Sequence, residues 1–165
     1  MSAASPHVSS SGPSPRTWLA PLGFGLAVLA AAGLGGLAAS SAGSTYAALE
    51  QPSWAPPSGV FGPVWTVLYV LIAVAAWLTW RVVGWDRSLT AWAVQLVLNA
   101  AWTPLFFGAD RYGLALVEIV VLLGAVGVTI ALFWTRRRVA ALLLVPYLAW
   151  VGFATALNAA IWSMN

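Results

Sequence analysis

Three segments of the chain place aromatic rings and carboxamides at helical spacing. Phe61, Trp65 and Tyr69 recur at i, i+4 and i+8. Gln95, Asn99, Trp102 and Phe106 run i, i+4, i+7 and i+11, and Tyr147, Trp150, Ala154 and Asn158 run i, i+3, i+7 and i+11. On a helix such residues share a face. Flat rings offer stacking surface, and a buried indole N–H or phenol O–H needs a partner. A carboxamide in apolar surroundings is costly unless it is hydrogen-bonded. Two readings stay open for Gln95, Asn99 and Asn158. They fasten helices together, or they anchor a flat, mostly apolar ligand in a pocket walled by aromatic faces.

Other chemistry is scarce. There is no cysteine, so no disulfide or thiolate metal site can form, and the one histidine, His7, has no second metal ligand nearby. No nucleophile–base pair, carboxylate pair or glycine-rich phosphate loop is visible, and classical acid–base catalysis is not supported. Glu118 is the one acid well inside an apolar segment. An acid there is a functional-site hypothesis by default. The alternative is a protonated or hydrogen-bonded glutamate near a membrane edge, helped by Arg111 seven positions earlier.

The elements that must carry these residues follow from composition. The 165 residues are 61% hydrophobic and 7% charged, against about 25% charged in soluble domains. Too few charges exist to coat a water-facing surface, so a bilayer is the expected solvent. A helix needs about 20 apolar residues to cross it, and five segments qualify: about 18–40, 60–82, 89–107, 112–134 and 140–162. The fold class expected is an all-α, multi-pass bundle of five transmembrane helices. Residues 1–16, MSAASPHVSSSGPSPR, read as a disordered tail, leaving 17–165 as the transmembrane domain. The opening lacks the pattern of a signal peptide, so the first apolar segment is expected to be a retained span. Tryptophans 18, 80, 85, 92, 134 and 162 lie near span ends, where an interfacial belt is expected.

With five spans the loops alternate sides. Arg16, Arg81, Arg87, Arg136, Arg137 and Arg138 share one side, and Arg111 lies on the other. The positive-inside rule then predicts a cytoplasmic N-terminus and an outside C-terminus. The arginines form no stripe and the net charge is only +3, which argues against nucleic acid. The first connection, SAGSTYAALEQPSWAPPSG at 41–59, is far longer than the others. Loops of that length in compact proteins are functional or disordered. Tyr46, Leu49 and Trp54 give this one something to pack, so a lid is expected, with a short helical turn over Tyr46–Glu50. In the first span, Ala32, Gly36 and Ser40, like Ala31, Gly35 and Ala39, form small-residue series that allow close helix approach. Their spacing leaves open whether the partner is another span or a second copy.

The lid's return and the segments that follow carry a resemblance. W-A-P-P at 54–57 with F-G-P-V-W-T-V-L-Y at 61–69, L-N-A-A-W-T-P-L-F-F-G at 98–108, and P-Y-L-A-W-V-G-F-A-T-A-L-N-A-A-I-W at 146–162 resemble the ordered motifs of the TspO/MBR family. These are the tryptophan-rich sensory proteins, translocator proteins or peripheral benzodiazepine receptors. The resemblance covers about residues 18–165. It implies a five-helix bundle, commonly a homodimer, that binds porphyrins and flat drug-like molecules between the helices beneath the first loop. By motif position it carries ligand contacts to Tyr46, Pro56, Trp65, Tyr69, Phe106, Trp150 and Ala154. Asn99 and Asn158 sit in the same motifs, and the acid at 118 also resembles a family feature. Trp102 and Tyr147 join the candidate ligand-binding set from the stripes, and Trp54 is expected to close the lid on the bundle.

The function implied is a receptor or carrier for tetrapyrroles such as protoporphyrin IX or haem, with the tetrapyrrole as ligand and no cofactor required. One alternative is light-dependent porphyrin degradation using Trp65 and Trp150. Another is a small multidrug-type exporter with Glu118 as proton site. The segment LNAAIWSMN has neither Tyr nor Arg, so it lacks the C-terminal cholesterol pattern of sterol-binding members, and sterol or lipid is the weaker partner expectation. Thr45 stands where some members carry an aromatic residue.

Overall fold

The computed structural model describes residues 15–38 and 42–165, with side chains described over 19–37 and 42–165. The tail expected over 1–16, with His7, lies outside the described residues except for its last two positions, which open the first helix. The side chains of Arg16 and Trp18 also lie outside them. The described residues form helices α1 (Pro15–Ala38), α2 (Ala42–Ala48), α3 (Phe61–Val83), α4 (Arg87–Thr103), α5 (Tyr112–Arg136), α6 (Arg138–Leu143) and α7 (Val145–Met164). Five stretches are long and apolar enough to cross a membrane: Leu19–Leu37, Ser58–Val83, Arg87–Gly108, Tyr112–Arg136 and Arg138–Met164. The protein is an all-α bundle with five spans, and the expected spans agree with these to within a few residues.

The spans close into a ring. α1 packs on α3 and α4, α4 on α5, α5 on α6 and α7, and α6 returns to α3. The sequence order 1-2-3-4-5 therefore becomes the spatial order 1-2-5-4-3. The main core runs through the middle, with Ile72, Ala75 and Ala76 of α3 facing Leu89 of α4, Val126 of α5 and Tyr147 of α7. Ala75 and Ala76 are small enough to let α3 sit near its neighbours, as membrane helices require.

Local chemistry sets the ends of the elements. Gly84 caps α3 with φ +68°, a left-handed conformation open to glycine, and its N–H donates to the Trp80 carbonyl at 2.8 Å. Asp86 then caps α4, accepting from the backbone N–H groups of Ser88 and Leu89, as N-cap residues do. Arg136, at the end of α5, meets its other oxygen at 3.1 Å. The Ser88 hydroxyl, ahead of the backbone donors and the Arg136 charge, holds the Asp86 carboxyl below its usual range. Pro146 interrupts the last span. It cannot donate to a preceding carbonyl, and the helix breaks at Leu144 between α6 and α7.

Two expectations change here. Trp92 was expected in the interfacial belt, but it is 2% exposed and its indole donates to the Ile72 carbonyl at 3.2 Å. A position near a span's start proved no guide to direction, because Trp92 is on the same face as the buried Leu89 and Leu96. Trp85, Trp134 and Trp162 are exposed. The lid's helical turn lies earlier than Tyr46–Glu50, at Ala42–Ala48. Leu49 N–H and the Gln51 side chain both donate to the Tyr46 carbonyl, ending the helix, and Pro52 disfavours a helical conformation at the residue before it.

Candidate functional site: a lidded aromatic cavity

α2 and the start of α3 sit over a cavity of about 430 Å3 walled by α1, α3 and α4. Sequence periodicity explains its wall. Phe61, Trp65 and Tyr69 stand one helical turn apart on α3, and all three line it. Asn99 and Trp102 of α4 stand opposite. Gly35 and Gly36 of α1 leave room on the third side. A Cβ on Gly35 would lie 3.4 Å from Thr103 Oγ1, so this small-residue face is turned toward α4 of its own bundle. Ala39 and Ser40, the ends of the two series, lie outside the described residues.

A second, deeper chamber of about 20 Å3 shares Phe61, Trp65, Asn99 and Trp102 with the first and adds Trp150 and Ala154. Three indoles thus surround one small space. The rings brace each other. Trp65 tilts against Tyr69 at 5.3 Å between centroids and meets Tyr147 edge-on at 6.2 Å. Phe61 meets Trp150 edge-on at 5.9 Å. Tyr147, fully buried, supports Trp65 without lining either space.

The polar groups divide by role. The Tyr69 hydroxyl donates to Asn99 Oδ1 at 2.9 Å, placing a polar pair in the cavity wall. Asn158 is a fastener: it accepts from Trp102 Nε1 at 3.2 Å and donates to the Tyr112 carbonyl at 2.9 Å, tying α4, α5 and α7. Gln95 is fully buried, with no protein partner at either end of its amide among the described residues. The three amides of the stripes therefore have three different surroundings. No charged side chain lines either chamber among the described residues. Glu118 lies outside both, its carboxylate oxygens shielded on α5.

The lid is fastened at several points. The Tyr46 hydroxyl donates to the Pro56 carbonyl at 3.0 Å, bridging the two ends of the connection. Burial pushes the Tyr46 phenol up, so it stays a neutral donor. Glu50 N–H donates to Asn165 Oδ1 at 3.0 Å, and Asn165 Nδ2 donates back to the Glu50 carbonyl at 3.1 Å. Trp54 is half exposed and touches Phe153 edge-on at 5.8 Å. It reaches Trp150 only through that ring.

One helix stripe does not run as regular spacing implies. After α4 the chain widens into a π-turn at Pro104–Gly108, where Ala109 N–H donates to the Pro104 carbonyl at 2.9 Å. Pro104 has no N–H to continue the α ladder, and a π-turn inserts an extra residue. Phe106 consequently leaves the cavity wall for a second core with Tyr46, Ala115, Leu157 and Ile161. Phe107 lines the cavity in its place. Phe107 is a lining residue that helical spacing did not single out, with the P-L-F-F-G sequence as its signal, and Gly35, marked by spacing only as part of a small-residue series, is a second.

The fold and cavity define a multi-pass integral membrane protein whose spans enclose an aromatic chamber under a fastened lid. The chain belongs to the TspO/MBR family, whose model matches residues 24–163. It is similar to the translocator protein of Homo sapiens, 38% identical over 154 residues that cover 90% of this chain and 91% of that protein. It is 41% identical to the tryptophan-rich protein TspO of Archaeoglobus fulgidus over 85% of this chain and 93% of that one. Protein CrtK of Rhodobacter capsulatus is 38% identical over 76% of this chain and 81% of its own length.

Proposed function

We propose that the protein is a membrane receptor or carrier for tetrapyrroles, protoporphyrin IX or haem, and related flat apolar molecules, held beneath the lid. The observation that carries this reading is the cavity: about 430 Å3, enclosed by Trp65, Tyr69, Trp102 and Phe107, with the Tyr69–Asn99 pair as polar anchor. That volume is within the range of small-molecule sites, about 300–1,000 Å3. Aromatic walls suit a planar ring. Association into a homodimer is part of the same reading. Gly35 and Gly36 face the cavity, so the pairing surface is to be sought elsewhere on the spans.

One observation favours a second reading. Trp65, Trp102 and Trp150 crowd one chamber, and an indole is easily oxidised, so light-driven degradation of a bound porphyrin is a competing activity. Protoporphyrin IX titrated into purified protein, in darkness and under light, separates the two. Saturable binding in darkness with no protein-dependent photoproduct is expected. A photoproduct lost in Trp65→Phe and Trp150→Phe variants that still bind would replace the carrier with a photo-enzyme, and absence of saturable binding would sink both.

Orientation is part of the proposal. Arg81, Arg87, Arg136, Arg137 and Arg138 all lie at the end opposite the lid, and Arg111 is the one arginine at the lid end among the described residues. The positive-inside rule then faces the lid away from the cytoplasm. A reporter that works only outside the cytoplasm should be active when fused after Asn165. Activity of a cytoplasm-only reporter at the same position would invert the assignment.

A further inference from the structure

Polar groups without a protein partner gather at one level of the bundle. Among the described residues, the buried side-chain polar atoms in that position belong to Trp77, Asp86, Gln95, Glu118, Tyr147 and Trp150. Asp86 is held by Arg136 in an ion pair at 3.1 Å, and Trp77 stands beside Arg81, toward the far end of α3. The other four stand in the lining of the deeper chamber or within one helical turn of it. Trp150 lines it, as do Asn99 and Ile119. Tyr147 is one turn from Trp150 on α7, Gln95 one turn from Asn99 on α4, and Glu118 adjoins Ile119 on α5. Space links them as well as sequence. The Tyr147 hydroxyl lies beside the Asn99 amide and near enough to Glu118 to feel its charge.

A bare buried amide, hydroxyl or indole N–H is costly, and native proteins leave few of them. Four at one level call for a shared partner. The needs differ in sign: the Trp150 N–H requires an acceptor, whereas the Gln95 carbonyl and the Glu118 carboxylate require donors or charge. A cation would suit the oxygens and leave the indole bare. Water serves both. The chamber measures about 20 Å3, and a site of about 10–15 Å3 with two to four polar partners is enough for one water.

We propose that the deeper chamber is a hydration site, holding an ordered water that accepts from the Trp150 indole and bonds the Asn99 amide, at the head of a buried water cluster that reaches Tyr147, Gln95 and Glu118. Asn99 Oδ1 is already taken by the Tyr69 hydroxyl at 2.9 Å. The water thus backs the polar pair of the larger cavity from behind and holds its amide in one orientation. The chamber is then solvent space and no extension of the room for an apolar guest. None of this depends on which guest the larger cavity takes.

The test uses the whole chain, labelled with 15N at tryptophan and glutamine, in lipid bilayers with no guest added. Solid-state NMR follows magnetisation passing from water to each side-chain N–H. Trp150→Phe and Gln95→Leu assign the two resonances. Trp92 is the dry control, since it is 2% exposed and its indole already donates to the Ile72 carbonyl. Trp150 Nε1 and Gln95 Nε2 should receive water magnetisation severalfold faster than Trp92 Nε1. Ala154→Val, which fills the chamber from its lining, should abolish transfer to Trp150 and leave transfer to Gln51 on the lid unchanged. A Trp150 indole as slow as that of Trp92 in the unaltered chain would overturn the proposal, whether or not the valine variant folds. Fast transfer to Trp150 in a folded Ala154→Val protein would overturn it too, because the water would then lie outside the chamber.

Discussion

Asn158→Leu is expected to destabilise the bundle by about 1–3 kcal/mol, the cost of leaving a buried polar group without its partner. Asn158 joins three helices, accepting from Trp102 on α4 and donating to the Tyr112 carbonyl at the start of α5. Leucine is close in volume, so little of the loss comes from a cavity. What is left behind is the Trp102 indole N–H and the Tyr112 carbonyl, each without its amide partner. The figure is above the average interhelical hydrogen bond in membranes, about 0.6 kcal/mol, because one substitution breaks two bonds. Thermal unfolding in a mild detergent measures it. Adding Trp102→Phe removes the orphaned donor, so the double variant should be more stable than the sum of the two single losses, as groups in one network are. Strict additivity would show that the Asn158–Trp102 bond contributes nothing.

The second large effect concerns the ligand. Gly35→Leu should weaken protoporphyrin IX binding by about 5–150-fold, the equivalent of the 1–3 kcal/mol that overfilling a packed space costs. Gly35 lines the cavity, and its missing Cβ would stand 3.4 Å from Thr103 Oγ1, an ordinary contact. The first carbon therefore fits, and the rest of the leucine must use the space a ligand would occupy. The helix itself gains, since leucine is a better helix former than glycine by up to about 1 kcal/mol. Loss of ligand with an unchanged or higher unfolding temperature is thus the expected pair of results, read by tryptophan quenching and thermal melts. Gly35→Ala should lie close to the unaltered protein. Undiminished affinity in the leucine variant would place the ligand outside this cavity.

The spans were legible because each rests on some twenty residues of hydropathy, a signal that no single position can spoil. The stripe on α3 was legible for a related reason. Phe61, Trp65 and Tyr69 lie on an uninterrupted helix, so spacing translated directly into a shared wall. The stripe on α4 held as far as Trp102 and failed at Phe106, because Pro104 opens a π-turn and the register moves by one ring. The amides were harder to read. Spacing shows that Asn99 and Asn158 face inward, but only three-dimensional neighbours separate the partner of Tyr69 in the cavity wall from the fastener of three helices. The small residues of α1 were equally silent about direction until Thr103 appeared opposite Gly35. The clasp between Glu50 and Asn165 left no trace in either local stretch, since its halves stand 115 positions apart.

That separation gives the clasp a place in time. A chain made from its N-terminus folds its early segments first, so the lid helix and the wall of α3 and α4 exist while the fifth span is still to come. Until then the lid has Pro56 to hold the Tyr46 hydroxyl but nothing to hold Glu50. The wall of the larger cavity is built early, whereas the deeper chamber and the clasp wait upon insertion of the fifth span. For the receptor proposed above, retention of a guest then rests on the clasp that only the fully assembled molecule carries.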